Sequence, residues 1–299
     1  MSEAPIVAPA EHFTPPNFFS QAWKRLRSNR ASVASALILL VIALLAVVGP
    51  SLVFGYNGCT YQSQNLAVRL ASPSLFHPLG TDLLGRDLLA RLLFGCRLSL
   101  FVGLAATLFS LPLGVAYGLI AGYLGGRIDN VMMRLVDVLA SLPEIVFVAI
   151  LLALFQRSLL LLAIALASIS WLSMARVVRG QVLSLKNEPF VEAVRCMGLS
   201  TPLIMTRHIL PNISGPIIVY ATLTLPSVIL SEAFLSFLGV GVPPPMSSLG
   251  VLANEGAQAV AVNPILLIAP ATLMAITLIC LNHLGDGLRD AMDPRSLDR

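Results

Sequence analysis

The feature that most constrains this chain is a set of long apolar runs nearly free of Asp, Glu, Lys and Arg. A bilayer's hydrocarbon core, about 30 Å thick, is crossed by about 20 such residues as helix. Six runs qualify: Val33 to Phe54, Leu98 to about Gly122, about Leu135 to Gln156, Ser158 to Ala175, Ile213 to about Leu238, and about Pro264 to Leu284. The third and fourth, joined tightly at Arg157, read as a helical hairpin within the membrane. No run alternates every second residue, so the pattern predicts helices rather than a barrel. Composition agrees: of 299 residues 57% are apolar and 11% charged, which leaves too little polar surface to coat a water-soluble core.

An even number of spans places both termini on one side. That side collects Lys24, Arg25, Arg27, Arg30, Arg127, Arg134, Arg176, Arg179, Lys186, Arg195, Arg207, Arg289, Arg295 and Arg299. The other holds Arg69, Arg86, Arg91, Arg97 and Arg157. Because cytoplasmic loops carry the excess of Lys and Arg, both termini are expected in the cytoplasm. The first run is too long for a signal-peptide core and has no small-x-small cleavage site behind it, so it is expected to remain as an anchor. Residues 1–16, rich in Ala and Pro, are expected to be disordered. In the next stretch Phe18, Phe19, Ala22, Trp23 and Leu26 share a helical face opposite Lys24, Arg25 and Arg27, as in a helix lying in the membrane interface.

The net charge of +4 comes with no dense basic run, which argues against nucleic acid as a partner. No GxxxxGK[ST] phosphate cradle, HExxH or GxSxG is present, so no catalytic constellation emerges and the chain is expected not to be an enzyme. Four cysteines, Cys59, Cys96, Cys196 and Cys280, form no CxxC pair, and no metal site is expected. Cys59 and Cys96 both fall in the outer segment, where an oxidising compartment would allow a disulfide between them.

The most informative polar stretch is the connection 176–212, too long for a hairpin loop. Glu188 followed by Pro189 predicts a helix start, with a short helix through Phe190, Glu192 and Ala193 to Met197. Gly198 would end it in the left-handed conformation. Thr201 and Pro202 repeat the start signal, and a second short helix runs to Leu210 before Pro211. Two helices folded about Gly198 make a knuckle suited to docking a partner.

These residues resemble the cytoplasmic signature of ABC importer permeases: Glu-Ala-Ala, three residues, Gly, nine residues, Ile-x-Leu-Pro. Here it reads Glu192-Ala193-Val194, Gly198 and His208-Ile209-Leu210-Pro211, departing at Val194 and His208. The resemblance extends to Leu79-Gly80-Thr81-Asp82-Leu83-Leu84-Gly85-Arg86-Asp87, similar to the LGTDxxGRD signature of the family's peptide and nickel branch, and to the closing stretch Gly285 to Pro294. Within that branch, Ala121 to Gly126, Trp171 to Arg176 and Leu235 to Gly239 look most like the C-type subunit of oligopeptide permeases. The resemblance implies an all-α polytopic membrane protein with six transmembrane helices and a type I importer permease fold, in a bacterial plasma membrane. It implies that Glu192, Ala193, Val194, Arg195, Met197 and Gly198 form a coupling helix that docks an ATPase. It also implies a homologous second permease subunit forming a heterodimer, two cytoplasmic ABC ATPases that use the ATP and Mg, and an extracytoplasmic peptide-binding protein; this chain itself is expected to bind no cofactor. Dipeptide, glutathione, nickel and cationic-peptide systems remain open as substrates. A self-sufficient secondary transporter or channel, and an intramembrane protease, are the rivals outside the family.

The organisation expected is a tail with an interfacial helix (1–32), a first span (33–54), an outer segment with an amphipathic helix (55–97), a five-helix core (98–287) and a tail (288–299). Thr81 is expected to cap the outer helix, with Asp82 pairing Arg86 and Asp87 pairing Arg91 four residues apart. That helix reads equally as a brace for the pathway mouth or as a packing strut with solvated ion pairs. Ionisable groups within spans are costly and face protein or water; Glu144 and Glu232 are the candidates, as pathway groups or structural pairs. Prolines 112, 226 and 270 are either gating hinges or fixed bends, and Pro226, in the run that holds Glu232, is grouped with Glu144 and Glu232 as a candidate pathway residue.

Overall fold

In a computed structural model the chain is described over residues 18–155 and 158–292; among these the regular structure is helical, joined by turns and loops, with one isolated bridge between Thr81 and Asp87. The expectations for residues 1–16, for the connection at Arg157 and for the end of the closing motif at Asp293 and Pro294 lie outside the described residues. Helix α1 (Phe18–Ser28) leads into α2 (Arg30–Asn57) through Asn29. The Asn29 side chain accepts from the Ala31 and Ser32 amides at 3.1 and 3.3 Å, capping α2. Long helices α3 (Leu88–Leu124), α6 (Leu159–Leu185), α10 (Ser214–Phe237) and α12 (Ile265–Met292) follow, with the shorter α4 (Gly126–Ala140), α5 (Glu144–Leu154) and α11 (Leu249–Ala259) between them.

Among the described residues five helices, α2, α3, α6, α10 and α12, are long and apolar enough to span; α4 and α5 pass only as a pair bent by 78°. The run expected as a single third span is therefore broken. Pro143 has no N–H to continue the ladder and disfavours helix at the residue before it, and the Ser141 hydroxyl donates to the Val138 carbonyl at 2.7 Å, closing α4. The expected fourth span is also longer than read, since α6 continues to Leu185 and takes the start of the polar connection with it. Pro112, Pro226 and Pro270 all lie inside continuous helices.

Helix α3 packs most extensively on α6. A stripe of glycines one turn apart makes this possible. A Cβ on Gly114 would stand 2.6 Å from the Met174 Cβ, one on Gly118 2.4 Å from the Ala175 carbonyl, and one on Gly122 2.8 Å from the Val182 Cβ. Where lipid offers no hydrophobic contrast, close backbone approach supplies the van der Waals contact that associates helices.

Two contacts fix which ends lie together. The Asn57 amide, at the end of α2, donates to Asp87 at the start of α3 at 3.2 Å. The Ser32 hydroxyl, at the start of α2, donates to the His283 carbonyl of α12 at 3.4 Å. The end of α3, the start of α2 and the end of α12 thus share one end of the bundle, and residues 58–87 lie at the other. Helix α1 packs on α12 and α2 at the first end. Its Ala22 is buried and Trp23 is 55% exposed, with the Arg27 guanidinium 5.0 Å from the indole centroid. Phe18 and Phe19 of the expected apolar face lie outside the described side chains.

The outer segment departs most from expectation. No helix begins at Thr81: residues 81–87 form a turn closed by the Thr81–Asp87 bridge, and α3 starts at Leu88 with Asp87 as its cap, accepting from the Ala90 amide at 2.8 Å. The disulfide that the sequence would allow is not formed. Cys59 and Cys96 are free thiols, Cys96 buried among Ile42, Ala46, Leu249 and Leu252.

Candidate functional site

At the end of the bundle that holds the helix termini, α7 (Pro189–Cys196) forms a short exposed helix with proline in its first turn. Extended backbone at Glu188 starts it as expected, without a side-chain capping bond. Gly198, at φ +79°, reverses the chain into α8 (Thr201–Ile204), which runs through a π-helical turn, Met205–Ile209, into α9 (Leu210–Asn212). An i→i+5 turn of this kind just before Pro211 absorbs the carbonyl crowding that proline causes one turn upstream. The knuckle read from the sequence is present, except that its second arm does not stop before Pro211: it passes through the π-helical turn and Pro211 to Asn212.

One side chain roots the knuckle. Val191 is fully buried against Val178 and Val182 of α6, Ile204 and Ile209 of the return segment, and Ile213 and Ile217 at the head of α10. Around it Glu192, Ala193, Arg195 and Gly198 are exposed, Met197 is 77% exposed, and Val194 is half-buried. The Arg195 guanidinium lies 5.8 Å from the Tyr123 ring of α3. The base is tied down further: Lys186 Nζ donates to the Gly122 carbonyl at 3.1 Å, Arg179 pairs with Asp129 of α4 through bonds of 2.5 and 2.6 Å, and Arg176 pairs with Asp137 at 3.1 Å. The result is a polar and apolar patch presented by a short rigid helix over a packed core.

At the opposite end a charged clamp holds the outer loop. Asp82 pairs with Arg86 as expected, at 2.6 Å, but within a turn. Asp87 does not pair with Arg91; it accepts from Asn57 and contacts His77 Nδ1 at 2.8 Å. Arg91, 1% exposed, instead bridges Asp82 at 2.6 Å and Glu255 of α11. Arg86 also reaches Glu255, at 3.1 Å. These pairs are buried or half-buried, so the reading of solvated pairs on a surface helix does not hold.

Glu232 lies wholly inside this chain rather than on an open surface. Its carboxylate accepts from Ser99 of α3 at 2.8 Å and from Ser236 at 2.7 Å, while the Ser99 hydroxyl also accepts from the Leu249 amide at the head of α11. Glu144, the first residue of α5, is exposed and accepts from the Ser231 hydroxyl of α10 at 3.2 Å. Pro226 is buried in α10. The sequence reading missed Glu255, His77, Asn57 and Ser99. Glu255 carried a usable signal, being the lone carboxylate between Glu232 and Asp286.

Residues 114–298 match the family model described as binding-protein-dependent transport system inner membrane component. Residues 17–73 match the N-terminal TM domain of oligopeptide transport permease C. The oligopeptide transport system permease protein OppC of Salmonella typhimurium is 48% identical over 281 residues, covering 93% of this chain and 92% of that one. The OppC of Haemophilus influenzae is 44% identical over 281 residues, covering 93% and 89%. Among solved structures, a chain of the MetNI methionine ABC transporter in an inward facing conformation superposes with a TM-score of 0.58 at 18% identity, covering 68% of this chain and 96% of that one.

Proposed function

The chain belongs to the family of binding-protein-dependent transport system inner membrane components, and on that premise we propose that its α7 knuckle is the surface through which partner ATPases drive the transport path. The chain is a transmembrane permease subunit of an ATP-driven oligopeptide importer and not itself an enzyme. In this reading two ABC ATPases use the ATP and Mg on the cytoplasmic side, a homologous second permease completes the pathway, and an extracytoplasmic binding protein delivers peptide. We read α4 and α5 as one bent crossing, which makes six spans with both termini and the knuckle on one side, and we take that side to be the cytoplasm of a bacterium with this chain in its plasma membrane. The basic residues gathered at that end support the orientation.

The observation that carries the proposal is Val191. Because Val191 of α7 is buried in a core shared by α6 and α10, displacement of α7 bears on both helices. Packed interiors resist compression, so displacement of α7 by an ATPase passes as rigid-body motion into those helices. From α6 it reaches α3 through the glycine stripe, and from α10 it reaches the Ser231–Glu144 contact, where we place the pathway wall. Glu144 offers its exposed carboxylate there to a peptide's amino terminus. Glu232 and Pro226 act behind that wall, setting the shape of α10.

Docking residues are Glu192, Ala193, Val194, Arg195, Met197 and Gly198. A photoreactive amino acid at Met197 of the assembled transporter tests the assignment. An adduct with an ATPase subunit is expected; adducts confined to lipid or to the second permease contradict it.

A further inference from the structure

On the outer flank of the bundle, α2 and α3 diverge around a cleft of about 520 Å³ lined by Ala43 and Ala46 of α2, Phe94, Arg97 and Phe101 of α3, and Leu159 at the head of α6. Its volume lies within the about 300–1,000 Å³ typical of sites for small organic molecules. The small side chains of Ala43 and Ala46 open it, and Phe94 forms its roof, stacked on Tyr61 of the outer loop with ring centroids 3.6 Å apart. The helix faces around it are exposed and apolar, with Leu44, Leu45 and Val47 on α2 and Phe101, Leu104 and Leu108 on α3. Such an exposed apolar wall on membrane-spanning helices is the kind of surface that lipid chains cover.

Arg97 is the exception on it. It is exposed and makes no ion pair or side-chain hydrogen bond among the described residues, whereas Arg86 and Arg91 of the same segment are clamped by carboxylates. It stands 27 residues before the end of α3 at Leu124, which at 1.5 Å per residue puts it about 40 Å from the knuckle end. A hydrocarbon core about 30 Å thick leaves Arg97 at headgroup depth in the far leaflet, level with the interfacial stack of Tyr61 and Phe94. A guanidinium presents a planar fork that matches phosphate oxygens in pairs. Among the described residues no acidic side chain lines the cleft, so the ammonium of a zwitterionic headgroup finds no carboxylate there.

We propose that this cleft is a binding site for an anionic glycerophospholipid, with the phosphodiester on Arg97 and an acyl chain laid between α2 and α3 beneath Phe94. The charge at the rim, the apolar lining and the headgroup depth together select this occupant over a protein helix, whose backbone offers no anion at that level. The site requires only that α2 and α3 span a bilayer and is independent of what the transporter carries.

The test uses the complete transporter in nanodiscs of mixed phosphatidylglycerol and phosphatidylethanolamine, followed by native mass spectrometry. Wild type should retain phosphatidylglycerol in preference to phosphatidylethanolamine. Arg97→Gln should weaken that retention roughly tenfold, the loss of a charge-assisted hydrogen bond, and Arg97→Lys should restore part of it. Peptide-dependent ATP turnover in Arg97→Gln confirms a folded, coupled complex, so lipid loss is separable from failure of the transport assignment. As an independent arm, a photoreactive residue at Ala43 should give an adduct of phospholipid mass. Equal retention by wild type and Arg97→Gln, or an Ala43 adduct with the second permease in place of lipid, overturns the proposal.

Discussion

Two glycines show how differently one backbone conformation can be used. Gly85 (φ +70°) and Gly198 (φ +79°) both occupy the left-handed region, but a Cβ on Gly85 would lie 1.8 Å from the Asn65 carbonyl, while one on Gly198 meets nothing within 4 Å. Gly85 is therefore constrained by space and by φ, Gly198 by φ alone. Asn tolerates the left-handed region, so Gly198→Asn should keep most peptide uptake, whereas Gly85→Ala should lower the amount of folded permease in the membrane; equal behaviour of the two in an immunoblot and uptake assay would count against this distinction. Glu232 makes a second residue-scale prediction. Its removal strands the buried Ser99 and Ser236 hydroxyls, and each unsatisfied group costs about 1–3 kcal/mol. Glu232→Ala should lower the melting temperature of the purified transporter clearly more than Glu232→Gln, which keeps the volume and an acceptor; matched melting curves would show that the hydrogen bonds contribute little.

At the scale of elements, what was legible in the sequence had local causes. Proline in the first turn of α7 and glycine after its end are signals that act within a few residues, so the knuckle could be read directly. The outer segment misled because its pairs obeyed helical spacing without being helical. Asp82 Oδ1 accepts from the Leu84 and Arg86 amides at 2.8 and 2.9 Å, an aspartate turn that competes with helix formation. Thr81, read as a cap, gives its hydroxyl to the Val68 carbonyl and accepts from the Ala71 amide instead. The decisive partner, Glu255, is 164 residues from Arg91, and no local pattern reports such a distance. Arg91 thus joins the outer loop, α3 and α11. In Arg91→Gln, amide hydrogen exchange should quicken across residues 66–87 and in α11 while α6 and α10 keep their protection; unchanged exchange in the loop would show that the clamp is dispensable.

For the whole molecule, apolar run length predicted the span regions and charge asymmetry predicted a sidedness, while the bend at Pro143, the length of α6 and helix α11 depended on packing. Sidedness is open to direct measurement through the native cysteines. Cys59 lies in the outer loop, half-buried, and Cys196 is exposed on the knuckle; Cys96 and Cys280 are buried. An impermeant maleimide should label Cys59 from outside and Cys196 only after permeabilisation, with Cys96 and Cys280 silent until denaturation. Burial, then the charge of Asp87, pushes the Cys59 thiol above its ordinary value, so its labelling should rise with pH over a higher range than that of a small free thiol. Labelling of Cys196 in intact cells would reverse the topology.

Helix α7 is proposed as the element that transmits force, and Gly198→Val tests it most directly. A β-branched residue in the left-handed region costs at least about 1–2 kcal/mol, and its Cβ meets open space, so the strain falls on the knuckle and not on the spans. Peptide uptake by transporters carrying Gly198→Val should fall about fivefold to thirtyfold, the ratio that such an energy sets, with weaker ATPase attachment and near-normal permease in the membrane. Normal uptake by a normally assembled Gly198→Val transporter would contradict the assignment of α7 as the coupling element.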